Sequence, residues 1–251
     1  MASLLESGAT HPTLELLFTT GEEHFCVGAK AFDAERLQSK TAYVMDLSGP
    51  VGECAVAAPT LITFSAEVVG KAAHAGFAPE DGVHAIQVAA SAVANLPSGR
   101  WGDVTVNVGT ISGGRATNIV PDSCTVTGEI RALCHQDAMD RLNEIHSEFV
   151  EQAQAVDAKL NFNHTIHITG YRVDTDASVA QRFRRACAAV GVAPRFTDTY
   201  GGSDCNILSA HGIQGLVVAT AMNNCHAVSE YTSVEDVQAA AVRRQLMEKQ
   251  D

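Results

Sequence analysis

The sequence predicts an α/β chain whose sheet-and-helix domain is interrupted by an inserted ferredoxin-like βαββαβ domain of α+β type. Two patterns predict it. Residues 61–168 follow the order strand, helix, strand, strand, helix, strand of a split βαβ unit. On either side lie short, continuously apolar strands next to helical stretches, the signature of a buried, mainly parallel sheet. At 251 residues the chain can bury two cores, and it shows no internal repeat or low-complexity tract.

Residues 14–20 form a compact strand followed at once by a helix, and residues 43–46 form a second short strand. In 61–69, Ile62, Phe64, Ala66 and Val68 alternate with Thr63, Ser65 and Glu67, the period of a half-buried strand. The helix that follows is capped by Asp81, carries Ile86, Ala89, Val93 and Leu96 at helical spacing, and ends at Pro97 and Gly99. Val104, Val106 and Val108 mark the next strand. After a Gly-rich connection, Cys124, Val126 and Ile130 mark another. A second helix over 135–156 carries Leu142, Ile145, Phe149, Ala153 and Val156, and a last strand sets Leu160, Phe162, Ile166 and Ile168 on one face. Beyond it come helices over 177–190 and 234–247, with the strand 215–221 between them. The expected domains are therefore 1–57 with 171–251, and 58–170.

Composition excludes several classes of function. Lys and Arg number 17 against 29 Asp and Glu, a net charge of −12, and no basic stripe exists to track phosphates, so nucleic acid is not an expected partner. The seven cysteines are scattered without a Cys-x-x-Cys pair, which suits a reducing cytoplasm better than a disulfide framework. No apolar run approaches the ~20 residues of a membrane span, and residues 1–11 do not read as a signal peptide.

The candidate chemistry lies at strand ends. Glu22 and Glu23 sit where an apolar run passes into a helix, and helical neighbours point about 100° apart, so the two carboxylates suit two roles, metal ligand and proton acceptor. Acidic residues also favour a first helical turn through the macrodipole. Asp46 ends a strand at the carboxyl edge where α/β sheets collect ligands, but it is equally a turn former. His226 follows the strand 215–221 in a polar loop, and Ser203 or Asp204 can cap a helix.

Together these pieces resemble the dinuclear zinc peptidases of the M20 family, on the peptidase T-like (tripeptide aminopeptidase) branch. The resemblance is carried in order by Thr20-Gly-Glu-Glu23, Tyr43-Val-Met-Asp46, Gly70-Lys-Ala-Ala-His-Ala-Gly76 with Pro79-Glu80, Gly113-Gly-Arg-Ala-Thr-Asn-Ile-Val-Pro-Asp122, Gly128-Glu-Ile-Arg131, Gly201-Gly-Ser-Asp204, and His226 with Glu230. It implies a catalytic α/β domain interrupted by a ferredoxin-like lid that serves as a homodimer contact. By the same resemblance Glu22 is the general base, Glu23 and His226 bind one zinc, and Asp46 binds the other. His74 steadies an oxyanion, and Asn118 and Arg131 hold a short peptide substrate. Arg131 is also placed to pair with Glu129.

The family's His-x-Asp motif and bridging Asp have no counterpart here. Three residues are then left to serve two zinc ions that each want about four ligands, so at most one ion, weakly held, is expected. Two readings follow. One is the C-terminal portion of a zinc-dependent peptidase, inactive alone and completed by a separate N-terminal half. The other is a non-catalytic dimerisation or binding module with a vestigial metal site.

Overall fold

The computed structural model describes residues 10–234 together with Glu6, Gly8 and Leu246. The strands in chain order are β1 (Thr41–Ser48), β2 (Glu53–Ala58), β3 (Thr60–Val69), β4 (Gly99–Trp101) and β5 (Val104–Gly113). They continue with β6 (Ser123–Ala132), β7 (Lys159–Ile168), β8 (Tyr171–Arg172), β9 (Arg195–Asp198) and β10 (Gln214–Met222). The helices are α1 (Val27–Ala31), α2 (Ala85–Asn95), α3 (His135–Gln154), α4 (Ser178–Ala189) and α5 (Asp204–Ala210). The chain divides into two units, Met1–Ala58 with Tyr171–Asp251, and Pro59–Gly170.

The Pro59–Gly170 unit is one antiparallel sheet of order β4-β5-β6-β3-β7 with α2 and α3 packed on it. Leaving aside the three-residue β4, that is the ferredoxin-like order, with β3 between the two strands that lead into and out of α3. The alternation explains the layering. Ile62, Phe64, Ala66 and Val68 of β3 meet Val126 and Ile130 of β6 and the buried faces of both helices, while the other face of the sheet carries Thr, Ser, Asn and Glu. In α3 the residues Ala138, Leu142, Ile145, Phe149 and Ala153 are all buried at helical spacing.

Some details differ from the sequence expectation. The cap of α2 is His84, whose ring nitrogen accepts from the Gln87 amide, whereas Asp81 closes a separate 3-10 turn, Pro79–Asp81. That moves the buried stripe to Ala85, Val88, Ala89 and Ala92, with Ile86 and Val93 only partly covered. His84→Ala should cost about 0.5–1 kcal/mol, read as a lower urea midpoint with unchanged slope. Val156 falls beyond the end of α3 and is exposed. Ile166 is also exposed, beside a register shift that slips His167 into β7.

The other unit has a sheet of order β1-β10-β2-β8, with β9 also on β2. It is mixed rather than mainly parallel: β1 with β10 and β2 with β9 are parallel, while β10 with β2 and β2 with β8 are antiparallel. The cause is the four-residue link from β1 to β2, too short for a parallel crossover, so the chain simply reverses. Gly49 and Gly52 take positive φ in that link, and a side chain on Gly52 would meet Val192 and Ala193.

Residues 14–20 are not a strand. They join no ladder among the described residues, Phe18 is 88% exposed, and Glu15 instead accepts the amides of Gln38 and Ser39. The helix expected after them is a 3-10 turn, Glu22–His24, followed by the short α1. The helix expected over 234–247 lies outside the described residues apart from Val234 and Leu246. The core of this unit is built by Cys54, Ala55 and Val56 of β2, Val179, Ala180 and Phe183 of α4, and Leu216, Val217 and Val218 of β10. All seven cysteines are free thiols. No helix among the described residues is long and apolar enough to cross a membrane.

Candidate functional site

Three separated segments of the Met1–Ala58 and Tyr171–Asp251 unit converge. The first is the turn after Thr20. Gly21 enters it at φ 65°, Glu22–His24 make one 3-10 turn, and Phe25 and Cys26 leave it with positive φ. On a 3-10 turn neighbours are about 120° apart, so Glu22 and Glu23 still face different directions. The second is β1, where Met45 and Asp46 between Val44 and Leu47 face the single Val218 between Val217 and Ala219 of β10, a bulge that falls at the candidate carboxylate. The third is the loop after β10, closed by the Asn223–Tyr231 bridge, with Ala221, Asn224 and His226 at positive φ. Left-handed backbone at Phe25, Cys26, Ala221 and His226 costs on the order of 1–2 kcal/mol per residue and concentrates beside this cluster.

His226 Nδ1 lies 3.5 Å from Glu23 Oε1, joining residues from opposite ends of the chain. Glu22 is held up to about 7, first by burial and then by the negative charges of Asp46, Glu23 and Asp204. Asp46 is also raised by burial, Glu23 and Asp204, against the opposing effect of His226. Cys26, buried behind the turn, has its Sγ 3.8 Å from Glu22 Oε1 and a thiol pushed up to about 12 by burial, Asp204 and Glu22.

The sequence left Asp204 as a candidate cap, yet here the cap of α5 is Ser203, and Asp204 is a buried carboxylate of the cluster. The only sequence signal for this was the carboxylate directly after a Gly-Gly-Ser turn. Thr19 and Cys26 carried no signal at all.

The raised Glu22 has a pH consequence. Its folded-state value exceeds the 4.5 of an unperturbed Glu, so between about 4.5 and 7 the folded chain binds more protons than the unfolded one. Stability from this group is complete below 4.5 and lost as pH rises through 7. Because Glu22 is partly solvated the effect is screened, and chelator-treated protein should melt about 2–4 °C lower at pH 8 than at pH 5 on its account. Glu22→Gln should flatten that difference in a thermal-melt series.

The remaining sequence candidates lie in the Pro59–Gly170 unit. His74 pairs with Ile119 in an isolated bridge, and the Asn118 carbonyl accepts the Ala75 amide at 3.0 Å, so the structure brings these two candidates together. His74 Nδ1 accepts from the Gly76 amide at 3.1 Å, which leaves the neutral ring's proton on Nε2. Phe77 lies against the ring at 4.3 Å between centroids. Arg131 on β6 makes a two-pronged pair with Glu129, at 2.9 and 3.3 Å.

The comparisons with known proteins agree with this architecture. Residues 56–157 match a family profile described as a peptidase dimerisation domain. An uncharacterised protein of Bacillus subtilis, YqjE, is 32% identical over 93% of this chain and 63% of its own. The crystal structure of aminopeptidase PepT from Bacillus cereus is 34% identical and superposes with a TM-score of 0.93, covering 98% of this chain and 66% of that one. A tripeptidase from Staphylococcus aureus is 26% identical, with a TM-score of 0.94 over 99% of this chain and 66% of that one.

These similarities define a mixed α/β chain with the fold of solved aminopeptidase and tripeptidase structures. In sequence and fold the chain is similar to M20 peptidases of the peptidase T kind. It spans just under two thirds of the length of these relatives.

Proposed function

We propose that this chain carries the general base and part of the metal-binding face of a zinc-dependent M20-type hydrolase acting on short peptides, in the manner of an aminopeptidase or tripeptidase. The observation that supports it most is the meeting of Glu23 with His226 beside Glu22 and Asp46, from three segments far apart in sequence.

The donor set fits a cation in part. Carboxylates concentrated enough to raise one another are relieved by a positive ion, and Glu23 with His226 offers the carboxylate–imidazole pair zinc accepts. Among the described residues, however, no three of His, Cys, Asp or Glu stand close enough together to hold an ion. Glu23 and His226 are the pair we assign to one zinc, and Asp46 is a single ligand for a second. Zinc at such a site supplies polarisation of the scissile carbonyl and a lowered pKa for water.

Glu22 takes the proton from the attacking water, its carboxylate form favoured once a bound cation offsets the charges of Asp46, Glu23 and Asp204. His74, with its proton on Nε2, donates to the developing oxyanion. Asn118 and Arg131 bind the substrate backbone or carboxylate, with Arg131 exchanging part of its pair with Glu129 for the substrate. The Pro59–Gly170 unit acts as lid and homodimer contact, and a separate segment equivalent to the relatives' remaining third completes the metal site.

The test is zinc titration and elemental analysis after dialysis. One weakly held zinc is expected, lost in both Glu23→Ala and His226→Ala. Two tightly held ions in the wild type would overturn the assignment. A second reading, a non-catalytic dimerisation module with a vestigial site, is favoured by the match of residues 56–157 to a dimerisation domain. It predicts self-association of the chain with no zinc uptake at all.

A further inference from the structure

We infer that Asp204 is a positioning residue: through the Thr19 hydroxyl it clamps the 19–26 turn that carries Glu22 and Glu23. The inference rests on the reading above for what those two carboxylates do, but its geometry is independent of that reading. Asp204 is 8% exposed, and a buried carboxylate is costly unless something requires it.

The helix it begins does not require it. Ser203 accepts the Cys205 amide at 3.2 Å, and Asn206 accepts the Ser203 amide at 3.1 Å, so the capping box of α5 is complete without the Asp204 side chain. Its Oδ2 instead accepts a hydrogen bond from Thr19, 185 residues away in sequence. Its Oδ1 is buried with no partner among the described residues.

The turn is one that needs holding. Its backbone closes on itself through four amides: His24 and Val27 donate to Gly21, Cys26 to Glu22, and Gly28 to Thr20. Phe25 and Cys26 are strained into left-handed backbone, and Gly28 sits so close to Thr20 that a side chain there would strike its carbonyl. The Thr19–Asp204 bond ties the start of this turn to α5, while the Glu23–His226 contact reaches the loop after β10 from its exposed side. Glu22 and Glu23 follow Thr19 by three and four residues, so slack at Thr19 becomes misplacement of both carboxylates. Groups that orient a metal ligand at one remove commonly change affinity by 10–100-fold when removed.

The test uses the full chain with Thr19→Val, Thr19→Ser, Asp204→Ala and the Thr19→Val/Asp204→Ala double variant. Zinc affinity is read by competition with a chromophoric chelator, and amide hydrogen exchange is read at His24, Cys26 and Gly28, with Val217 of β10 as internal control. Thr19→Val and Asp204→Ala should each weaken zinc about tenfold and speed exchange of the three turn amides at least tenfold, leaving Val217 unchanged. The double variant should be no worse than either single one, and Thr19→Ser, which keeps the hydroxyl, should behave as wild type.

Turn amides within twofold of wild type in Thr19→Val, or additive effects in the double variant, would overturn the clamp. If Asp204→Ala does not fold, the Val and Ser variants of Thr19 decide the matter alone. If the wild type takes up no zinc, the proposed function fails, while accelerated exchange in Thr19→Val still supports the clamp and unchanged exchange still overturns it.

Discussion

The purified chain with excess zinc is expected to hydrolyse di- and tripeptides negligibly. It should become active when mixed with the separately produced segment of an M20 relative that this chain does not cover, and Glu22→Gln should then remove most of the restored activity. The reasoning begins with ligand number. On the proposed assignment Glu23 with His226 would give one zinc two ligands and Asp46 would give the other one, whereas zinc held for catalysis wants three from the protein and an open position. Without that count a water near Glu22 is poorly activated, however well the base is poised. Supplying further ligands should change the outcome, because among the described residues β1 is the edge of its sheet and can accept a further strand, and exposed Leu16, Phe18, Phe25 and Val27 offer apolar surface to bury. Glu22→Gln keeps the size of the side chain and removes the base, so kcat should fall by about 10²–10⁴ with zinc binding retained. Robust turnover by the chain alone, dependent on Glu22, would show that the metal site is already complete.

Legibility differed between the two units for physical reasons. In β3, β5, β6 and α3 one face is covered and the other is polar, so period 2 and period 3.6 are written directly into residues such as Ile62, Phe64 and Phe149. Strand β2 reads Glu-Cys-Ala-Val-Ala-Ala and is buried on both faces, so no alternation marks it, although it pairs with three other strands. The opposite holds at 14–20, an apolar run that predicts a strand and joins no ladder among the described residues. Periodicity reports which faces are apolar, not whether a ladder partner exists, and Leu16 and Phe18 stand exposed there. Of the candidate site, Glu22, Glu23, Asp46 and His226 stand out in the sequence only through the ordered blocks that resemble M20 peptidases, since each alone reads equally as a turn or first-turn residue. Asp204 was hidden by its neighbour: a Ser-Asp pair at a helix start offers two candidate caps, and only the geometry shows that Ser203 takes the role and frees the carboxylate.

The largest effect on stability is expected from Phe149→Ala. Phe149 is fully buried at the centre of the α3 stripe, between Ile145 and Ala153, with its ring 6.4 Å from that of Phe162 on β7. Fully burying such a side chain contributes roughly 1.5–3 kcal/mol of transfer free energy, and its removal adds the cost of a cavity that β3, β6 and β7 cannot close, since their register is fixed on both sides of β3. Together these give a loss of about 3–5 kcal/mol, a large share of the stability of a domain this size. Val156→Ala, just beyond the end of the helix at a 47% exposed position, should change stability by less than about 0.5 kcal/mol. The single tryptophan, Trp101, belongs to β4 of the same unit, so its fluorescence in urea reports this unit directly. Because the Pro59–Gly170 unit holds its own core, the isolated 59–170 segment should fold with a midpoint close to that of the full chain, and in that segment Phe149→Ala should leave little folded protein. A 59–170 segment that is unfolded in buffer, or a Phe149→Ala midpoint within error of wild type, would mean that this core does not stand alone.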